Sequence, residues 1–235
     1  MRSFLLLSAL TALTATVRAQ QAAGVPHHAP EDPVVSLVNK GNEPRVVVVE
    51  TSAGVPSTAY HGDPISVPGQ QTVDFYPGAG FIGALTGADG TGTRHEINFA
   101  DNQVTWYNSD MEMGMCDSTL GPTSGEPQNN GQPSLAGEAN RADKANQAWG
   151  SVDPQTQQNL LDSGYIDGTV GGSVTGVRMD KQAPQAVIDF LQVTANFNAY
   201  VTHGSVGGSD KTNADKIANQ QTRNVGTNKM TITMY

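Results

Sequence analysis

Cysteine is almost absent from this chain, which has Cys116 and no other among its 235 residues. One cysteine cannot form an internal disulfide, so stability must come from burial of apolar surface, and a chain of this length can bury enough. We interpret Cys116 as a small buried hydrophobic residue rather than a reactive thiol. The sequence also has no Asn-x-Ser/Thr site, so N-glycosylation is not expected.

Basic residues are few: 13 Lys and Arg stand against 22 Asp and Glu, which gives a formal net charge of −9. An acidic chain is not steered toward phosphate backbones or anionic lipid. The composition therefore argues against nucleic acid as a partner. The length fits a single domain.

Long hydrophobic runs are also missing, and the one apolar segment is short. Arg2 precedes the leucine-rich residues 4–13, and the segment ends in Val17-Arg18-Ala19. A membrane-spanning helix needs about 20 apolar residues, whereas a basic start, a short apolar core and small residues before the cut are typical of a signal peptide. We predict a signal peptide over residues 1–19, secretion to the extracellular space and no membrane anchor. Its removal would change the formal net charge from −9 to −11.

Common catalytic and metal-binding motifs are absent as well. The chain has no Gly-x-Ser-x-Gly, HExxH, phosphate loop or dinucleotide fingerprint. The triplet Asp162-Ser163-Gly164 looks like that of aspartic proteases, but those enzymes need two, so we interpret it as the end of a helix. Met111, Met113 and Met115 alternate and would share one face of a strand, where thioethers could bind copper. Because methionine more often fills a core, we predict no metal and no cofactor.

What the sequence does contain is a series of short strands separated by turns. Residues 20–33 form a Pro-rich arm that we expect to be flexible. The strands predicted after the arm cover residues 34–38, 45–50, 65–75 with a Pro-Gly turn inside, 78–85, 94–99 and 104–107. Four consecutive valines in the second of these predict a strand buried on both faces. Strands of this length and spacing favour a β-sandwich.

The second half of the chain changes character. Residues 121–137 hold almost nothing apolar and predict a loop or a disordered insertion. Capping residues and apolar spacing then predict helices over 138–149 and 154–161 and from Pro184 to about Val201. Strands are expected at 172–179 and at the closing residues 229–235. We therefore predict one domain over residues 34–235, mainly β with late helices.

Two segments resemble a known family. Glu96-Ile97-Asn98-Phe99 and the run from Trp106 to Gly114 resemble the Glu-Phe…Tyr-Asp-Ile-Ser…Gly core of thaumatin-like proteins. The fungal branch, which includes a class of mould allergens, is more similar, because its members also begin with a secretion signal and a Pro-rich arm. The resemblance implies a mainly-β (α+β) thaumatin-like β-sandwich with late helices packed on it and a cleft beside the Glu96 strand.

The resemblance also implies an acidic cleft, with which some family members bind or hydrolyse β-1,3-glucan. Glycoside hydrolysis needs two carboxylates that flank the scissile bond. Glu96 matches the family glutamate, whereas Asn108 stands at the first family aspartate and Met113 near the second. An amide cannot transfer a proton as a carboxylate does. Asp110 and Glu112 lie close in sequence and could substitute.

Two hypotheses follow from these residues. The first is a secreted non-enzymatic protein that binds a cell-wall polysaccharide or an extracellular protein on a host surface, with Trp106, Tyr107, Glu96 and Asp110 as ligand-binding candidates. Aromatic faces stack on sugars, although the commoner role for a tryptophan on such a strand is that of a core residue. The second is a glycoside hydrolase acting on β-1,3-glucan, with Glu96 and either Asp110 or Glu112 as the catalytic carboxylates in an open cleft. The two carboxyl groups would be about 5 Å apart in an enzyme that retains the anomeric configuration, or roughly 6.5–9.5 Å apart in one that inverts it.

Overall fold

The computed structural model shows a mainly β protein, with three short helices among the residues that it describes. It describes residues 32–52, 63–87, 92–100, 104–125, 127, 134–180, 182–199 and 222–235. The predicted signal peptide lies outside these residues, as does most of the Pro-rich arm. None of the helices in the described ranges has the length and the apolar character needed to cross a membrane.

The strands in the described part of the chain form three sheets. Their bounds are β1 Val34–Asn39, β2 Arg45–Thr51, β3 Ile65–Val67, β4 Thr72–Phe75, β5 Ile82–Gly87, β6 Arg94–Phe99, β7 Thr105–Asp110, β8 Ser118–Pro122, β9 Ala136–Glu138, β10 Ile166–Gly168, β11 Val174–Val177, β12 Arg223–Val225 and β13 Lys229–Met234. The helices are α1 Arg141–Trp149, α2 Pro154–Asp162 and α3 Gln185–Asp189.

Two larger sheets hold most of the strands. A five-stranded sheet has the order β4-β1-β13-β8-β9, and a six-stranded sheet has the order β12-β7-β6-β5-β2-β3. The closing strand β13 is confirmed and lies at the centre of the first sheet, parallel to β1 and antiparallel to β8.

The two larger sheets share one hydrophobic cluster. Leu37 and Ile232 come from the five-stranded sheet, and Leu85, Ile97 and Tyr107 come from the six-stranded sheet. On β1 and β6 every second residue is buried, as expected for strands with one face in a core. The side chains between them point away from the cluster and form the outer face of each sheet.

Residues 65–75 do form two strands, but these strands do not pair with each other. β3 pairs with β2 in one sheet, whereas β4 pairs with β1 in the other. The turn at Pro68-Gly69 therefore carries the chain between the two larger sheets. A Cβ on Gly69 would lie 1.8 Å from the carbonyl oxygen of Asn42, so only glycine fits this approach.

The prediction that the four valines are buried on both faces is wrong. Only Val47 is buried, at 3% exposure, and Val46, Val48 and Val49 are partly exposed. The strand lies next to the edge strand β3, and its outer face is only partly covered. A valine run therefore reflects the β-propensity of a branched side chain here, not complete burial.

The late helices and the small β10-β11 sheet build a second hydrophobic cluster, which includes Trp149, Leu160, Val177 and Leu191. The predicted start of α2 is confirmed, because the Asp153 side chain accepts hydrogen bonds from the first-turn amides of α2. The Asp162-Ser163-Gly164 triplet ends this helix as predicted.

The helix predicted from Pro184 to about Val201 is shorter than expected. α3 passes at Phe190–Thr194 into a π-helical turn, and Asn196 adopts a positive φ of 51°. The left-handed backbone at Asn196 stops the helix, so Phe197 and Ala199 reach the second cluster from outside it.

The segment predicted as an insertion at 121–137 is shorter than expected at both ends. Gly121 and Pro122 belong to β8, and Ala136 and Gly137 belong to β9. β8 and β9 pair with each other, which a purely polar composition did not indicate. Residues 126 and 128–133 of this segment lie outside the described residues.

Candidate functional site

The candidate site lies on the outer face of the six-stranded sheet, where β6 and β7 pair. The register sets Arg94 opposite Asp110, Glu96 opposite Asn108, and Asn98 opposite Trp106. Because directly opposed residues of an antiparallel pair share a face, these six side chains lie together on the outer face. This face collects four of the residues that the sequence suggested or compared with the family pattern: Glu96, Trp106, Asn108 and Asp110.

Trp106 is on the surface. Its side chain is 44% exposed, and Ile82 on the neighbouring strand β5 is 41% exposed. Ile82 lies opposite Asn98, so both large apolar side chains flank the same asparagine. The alternative that Trp106 is a core residue is therefore excluded.

Tyr107 points in the opposite direction. It is 1% exposed within the cluster shared by the two larger sheets, and its hydroxyl donates to the carbonyl of Ser134 at 2.7 Å. Burial raises the pKa of Tyr107 to about 12. The prediction of Tyr107 as a ligand-binding residue does not fit this placement, because the side chain cannot reach the outer face occupied by Trp106.

Arg94 organises the charges of the outer face. Its Nε lies 3.1 Å from Oε2 of Glu50, its Nη1 contacts Oε1 of Glu96, and the same Nη1 is 4.0 Å from Oδ2 of Asp110. One guanidinium therefore lies among three carboxylates, from β2, β6 and β7. The site is acidic, but the Glu50 and Glu96 charges are partly neutralised by this arginine.

Asn108 also holds the Glu96 side chain in place, by a hydrogen bond. Its Nδ2 donates to Oε2 of Glu96 at 3.0 Å, so the two carboxylate oxygens bind different donors. The Oδ1 of Asn108 is buried and has no hydrogen-bond partner among the described residues. Glu96 itself is 38% exposed, which leaves its carboxylate accessible from solvent.

Asp110 is the perturbed acid of the site. Its side chain is only 8% exposed, and its Oδ1 accepts a hydrogen bond from the backbone amide of Glu112 at 2.6 Å. Burial, more than the nearby charges of Glu112 and Glu96, raises the pKa of Asp110 to about 6. Glu112 lies in the turn after β7 and not on the sheet face.

A buried histidine network lies beneath the site, and sequence reasoning missed it. On the inner face, Nδ1 of His95 lies 2.7 Å from Oγ of Ser109, and its Nε2 lies 2.9 Å from Oγ of Ser118. Burial lowers the pKa of His95 to about 3, so the ring is neutral. The alternation of β6, which puts Glu96 outward and His95 inward, was the signal that could have found it.

Cys116 extends this network. Its Sγ lies 3.3 Å from Oγ of Ser118 and accepts a hydrogen bond from the backbone amide of Thr93 at 3.4 Å. The cysteine is half-buried rather than fully buried. Its contacts are those of a packed thiol that joins β8 to the residues preceding β6.

The three alternating methionines do not share a strand face. β7 ends at Asp110, and the following residues form a turn in which Met111 is buried, Met113 is 39% exposed and Met115 is 9% exposed. Within the described residues, no three His, Cys, Asp or Glu side chains are grouped so that they could hold a metal ion.

No protein-family model matches the chain, and a search of the curated proteins finds no match. Among solved structures, the chain is similar to the crystal structure of the protein elicitor MoHrip2 from Magnaporthe oryzae, at 17% identity and a TM-score of 0.31. The match covers 40% of this chain and 72% of that chain. At this TM-score the likeness carries no argument for the fold or the function.

Proposed function

We propose that this protein is a secreted, non-enzymatic extracellular protein that binds a cell-wall polysaccharide on the outer face of its six-stranded sheet. The observation that carries the proposal is the exposed indole of Trp106, held on a regular sheet among side chains that can hydrogen-bond hydroxyl groups. Ile82 is exposed on the same face, and apolar patches rimmed by polar residues mark interaction sites.

The neighbours of Trp106 supply the polar half of such a site. Asn98 lies opposite Trp106 on β6, and Asn224 lies opposite it on β12. Each amide offers both a donor and an acceptor. A sugar ring has an apolar face that stacks on an aromatic ring and hydroxyls at its rim, so an indole between two amides fits both parts.

The proposal includes a fold assignment. The two larger sheets form a β-sandwich of the thaumatin-like type, with the late helices packed on it. The shared cluster between the sheets and the separate cluster of the helical part support this assignment. Cleavage of the signal peptide at residues 1–19 delivers the domain to the extracellular space, where wall polysaccharide is found.

A second candidate function is hydrolysis of β-1,3-glucan by Glu96 and Asp110. The observation in its favour is the raised pKa of Asp110, about 6, beside a Glu96 carboxylate that is paired with Arg94. Two carboxyl groups in different environments can act as an acid and as a base or nucleophile. The 8% exposure of Asp110 and the guanidinium between the two acids favour binding over hydrolysis.

The test is retention of the purified mature protein on insoluble β-1,3-glucan, chitin and cellulose, with assay of the supernatant for released sugar. Trp106→Ala should weaken retention about tenfold, which corresponds to about 1.4 kcal/mol. The matched control is Val193→Ala, because Val193 is 71% exposed and lies in the π-helical turn after α3, not on the six-stranded sheet.

Retention without sugar release, lost in Trp106→Ala and kept in the control, supports the proposal. Sugar release that disappears in both Glu96→Gln and Asp110→Asn supports the hydrolase instead. An unmodified protein that is retained on none of the three polysaccharides overturns both functions and leaves an extracellular protein as the partner.

A further inference from the structure

A row of alternating polar and apolar side chains crosses the outer face of the six-stranded sheet, perpendicular to its strands. It extends through Ser52, Ile82, Asn98, Trp106 and Asn224. The Ser52 amide donates to the Ile82 carbonyl at 2.9 Å, and the remaining neighbours are directly paired residues. The row thus has five positions, four on adjacent strands and Ser52 directly after β2: hydroxyl, aliphatic, amide, indole and amide.

The spacing of this row is set by the sheet. Neighbouring strands lie about 4.8 Å apart, so the two exposed apolar side chains are about 9.6 Å apart. These are Ile82, 41% exposed, and Trp106, 44% exposed, with Asn98 between them. The surface therefore repeats every two strands: an apolar platform, then an amide.

We propose that this row binds a single extended β-1,4-linked polysaccharide chain that lies across the strands. This inference rests on the proposed function and names its ligand class. In an extended β-1,4-linked chain each ring is rotated by half a turn relative to the last, so the same ring face recurs at every second ring. Two such rings span nearly the same length as two strand spacings. Rings over Ile82 and Trp106 then present the same face to an apolar platform, while the ring between them meets Asn98.

A β-1,3-linked glucan chain fits this row poorly. Its linkage makes the chain curve and coil, so that ring faces do not recur in a straight line at the two-strand interval. Only the single ring on Trp106 would find its platform. The row thus favours β-1,4-linked over β-1,3-linked glucans.

The charges of the face indicate an uncharged polymer. None of the five side chains of the row carries a charge. Among the described residues, the acids on the adjacent row of this face are Glu50 and Glu96, and both are paired with Arg94. A polyuronate would meet these acids unfavourably, and a cationic amino sugar would find both carboxylates already bound to the guanidinium. Cellulose-type and chitin-type chains meet the requirement, since both are neutral and β-1,4-linked.

The length of the row limits the number of rings that it contacts. Five positions give four spacings, about 19 Å in total, which is enough for about five rings. The right-handed twist of the sheet, roughly 20–25° between neighbouring strands, turns the surface away from a straight chain beyond this length. Affinity should therefore rise with the number of rings up to about five and then level off.

Calorimetric titration of the mature protein with soluble oligosaccharides of two to seven rings tests the inference. Three series are compared: β-1,4-linked glucose, β-1,4-linked N-acetylglucosamine and β-1,3-linked glucose. At least one β-1,4-linked series should bind tenfold or more tightly than the β-1,3-linked series, with a plateau at about five rings. The first two series distinguish a cellulose-type from a chitin-type ligand.

Two variants test the register of the chain. Trp106→Ala should weaken binding of the five-ring β-1,4 oligomer about tenfold and Ile82→Ala about threefold, while for a two-ring oligomer Ile82→Ala should matter much less. Val170→Ala is the control, because Val170 is 40% exposed and lies between β10 and β11. Thermal melting of each variant verifies that the fold is retained.

The outcomes separate the inference from the proposed function. Trp106-dependent binding of the β-1,3 series that equals or exceeds binding of the β-1,4 series overturns the inference and keeps the proposed function. An Ile82→Ala variant that binds the five-ring oligomer as the parent does also overturns it. If no series binds and no insoluble polysaccharide retains the protein, both fail.

Discussion

At the scale of single residues, the candidate site depends on which way each side chain of β6 and β7 faces. The sequence identified Glu96, Trp106 and Asp110, and all three lie on one face. It also proposed Tyr107, which is one residue away from Trp106 and therefore faces the core. Alternate residues of a strand face opposite sides of the sheet. Which of the two sets faces the core depends on pairing with distant residues, which a local sequence pattern does not contain.

The amide of Asn108 is the residue-scale feature that most clearly departs from an acidic cleft. Asn108→Asp should lower the free energy of unfolding at pH 7 by about 1–3 kcal/mol, because it removes the hydrogen-bond donor to Glu96 and adds a carboxylate in contact with that acid. The new acid would have a raised pKa in the folded state, so the loss should shrink as the pH falls toward about 4.

Thermal melting at several pH values measures this effect. Gln147→Glu adds the same charge at an exposed position of α1 and serves as the control. If Asn108→Asp melts with the parent at pH 7, the contact between Asn108 and Glu96 does not stabilise the fold, and the site is more open than its geometry indicates.

At the scale of elements, local patterns located β1 to β7, β11 and β13 but missed β8, β9, β10 and β12, and they gave few of the pairings between strands. The alternation in residues 94–99 and the Asp-Pro start of α2 follow from chemistry within a few residues, and both are confirmed. The assignment of β3 and β4 to different sheets follows from contacts between distant segments. Asn39, which is 1% exposed, binds the carbonyls of Val67 and Pro68 and holds this crossing in place.

The crossing between the two larger sheets gives an element-scale prediction. Gly69→Ala should destabilise the protein by at least about 2 kcal/mol, because its Cβ would lie 1.8 Å from the backbone oxygen of Asn42. Gly150→Ala is the matched control, since a Cβ there meets nothing within 4 Å and its φ is −63°. It should be neutral or slightly stabilising.

Urea denaturation of both variants decides the point. Equal midpoints for the two variants would show that the turn at Pro68-Gly69 can move away from Asn42, and that the crossing between the sheets is not fixed by this approach. A large loss in Gly69→Ala alone would confirm that the crossing is a rigid part of the fold.

At the scale of the whole molecule, two buried ionisable groups on opposite faces of one sheet respond to acid in opposite ways. His95 lies between the two larger sheets, and Asp110 lies on the outer face. Neither behaviour was predictable from composition, because an acidic chain contains many carboxylates and only burial in the folded state distinguishes one of them.

The sign of each contribution follows from proton binding. His95 has a pKa of about 3 when folded, below its unfolded value of about 6.5, so acid favours the unfolded chain and stability falls as the pH drops from about 6.5 toward 3. Asp110 has a pKa of about 6 when folded, above its unfolded value of about 3.9. Its folded state therefore binds the extra proton, and stability falls as the pH rises from about 4 to 6.

Between about pH 4 and 6 these two slopes offset each other, so the parent protein should show a shallow dependence of unfolding free energy on pH. Asp110→Asn should remove the slope that Asp110 contributes, so that stability rises with pH from about 4 to 6 and exceeds that of the parent at pH 7.

His95→Gln should lower stability at pH 7 because it breaks the hydrogen bonds to Ser109 and Ser118. The slope from Asp110 then remains alone, so the stability of this variant should fall as the pH rises from about 4 to 6. Asp189→Asn, at an exposed position of α3, should leave the profile unchanged. Chemical denaturation from pH 3 to 8 gives the unfolding free energy of the parent and the three variants. If the profiles of Asp110→Asn and the parent are parallel, the Asp110 carboxyl is not buried in the way described, and the case for its role in catalysis is weakened.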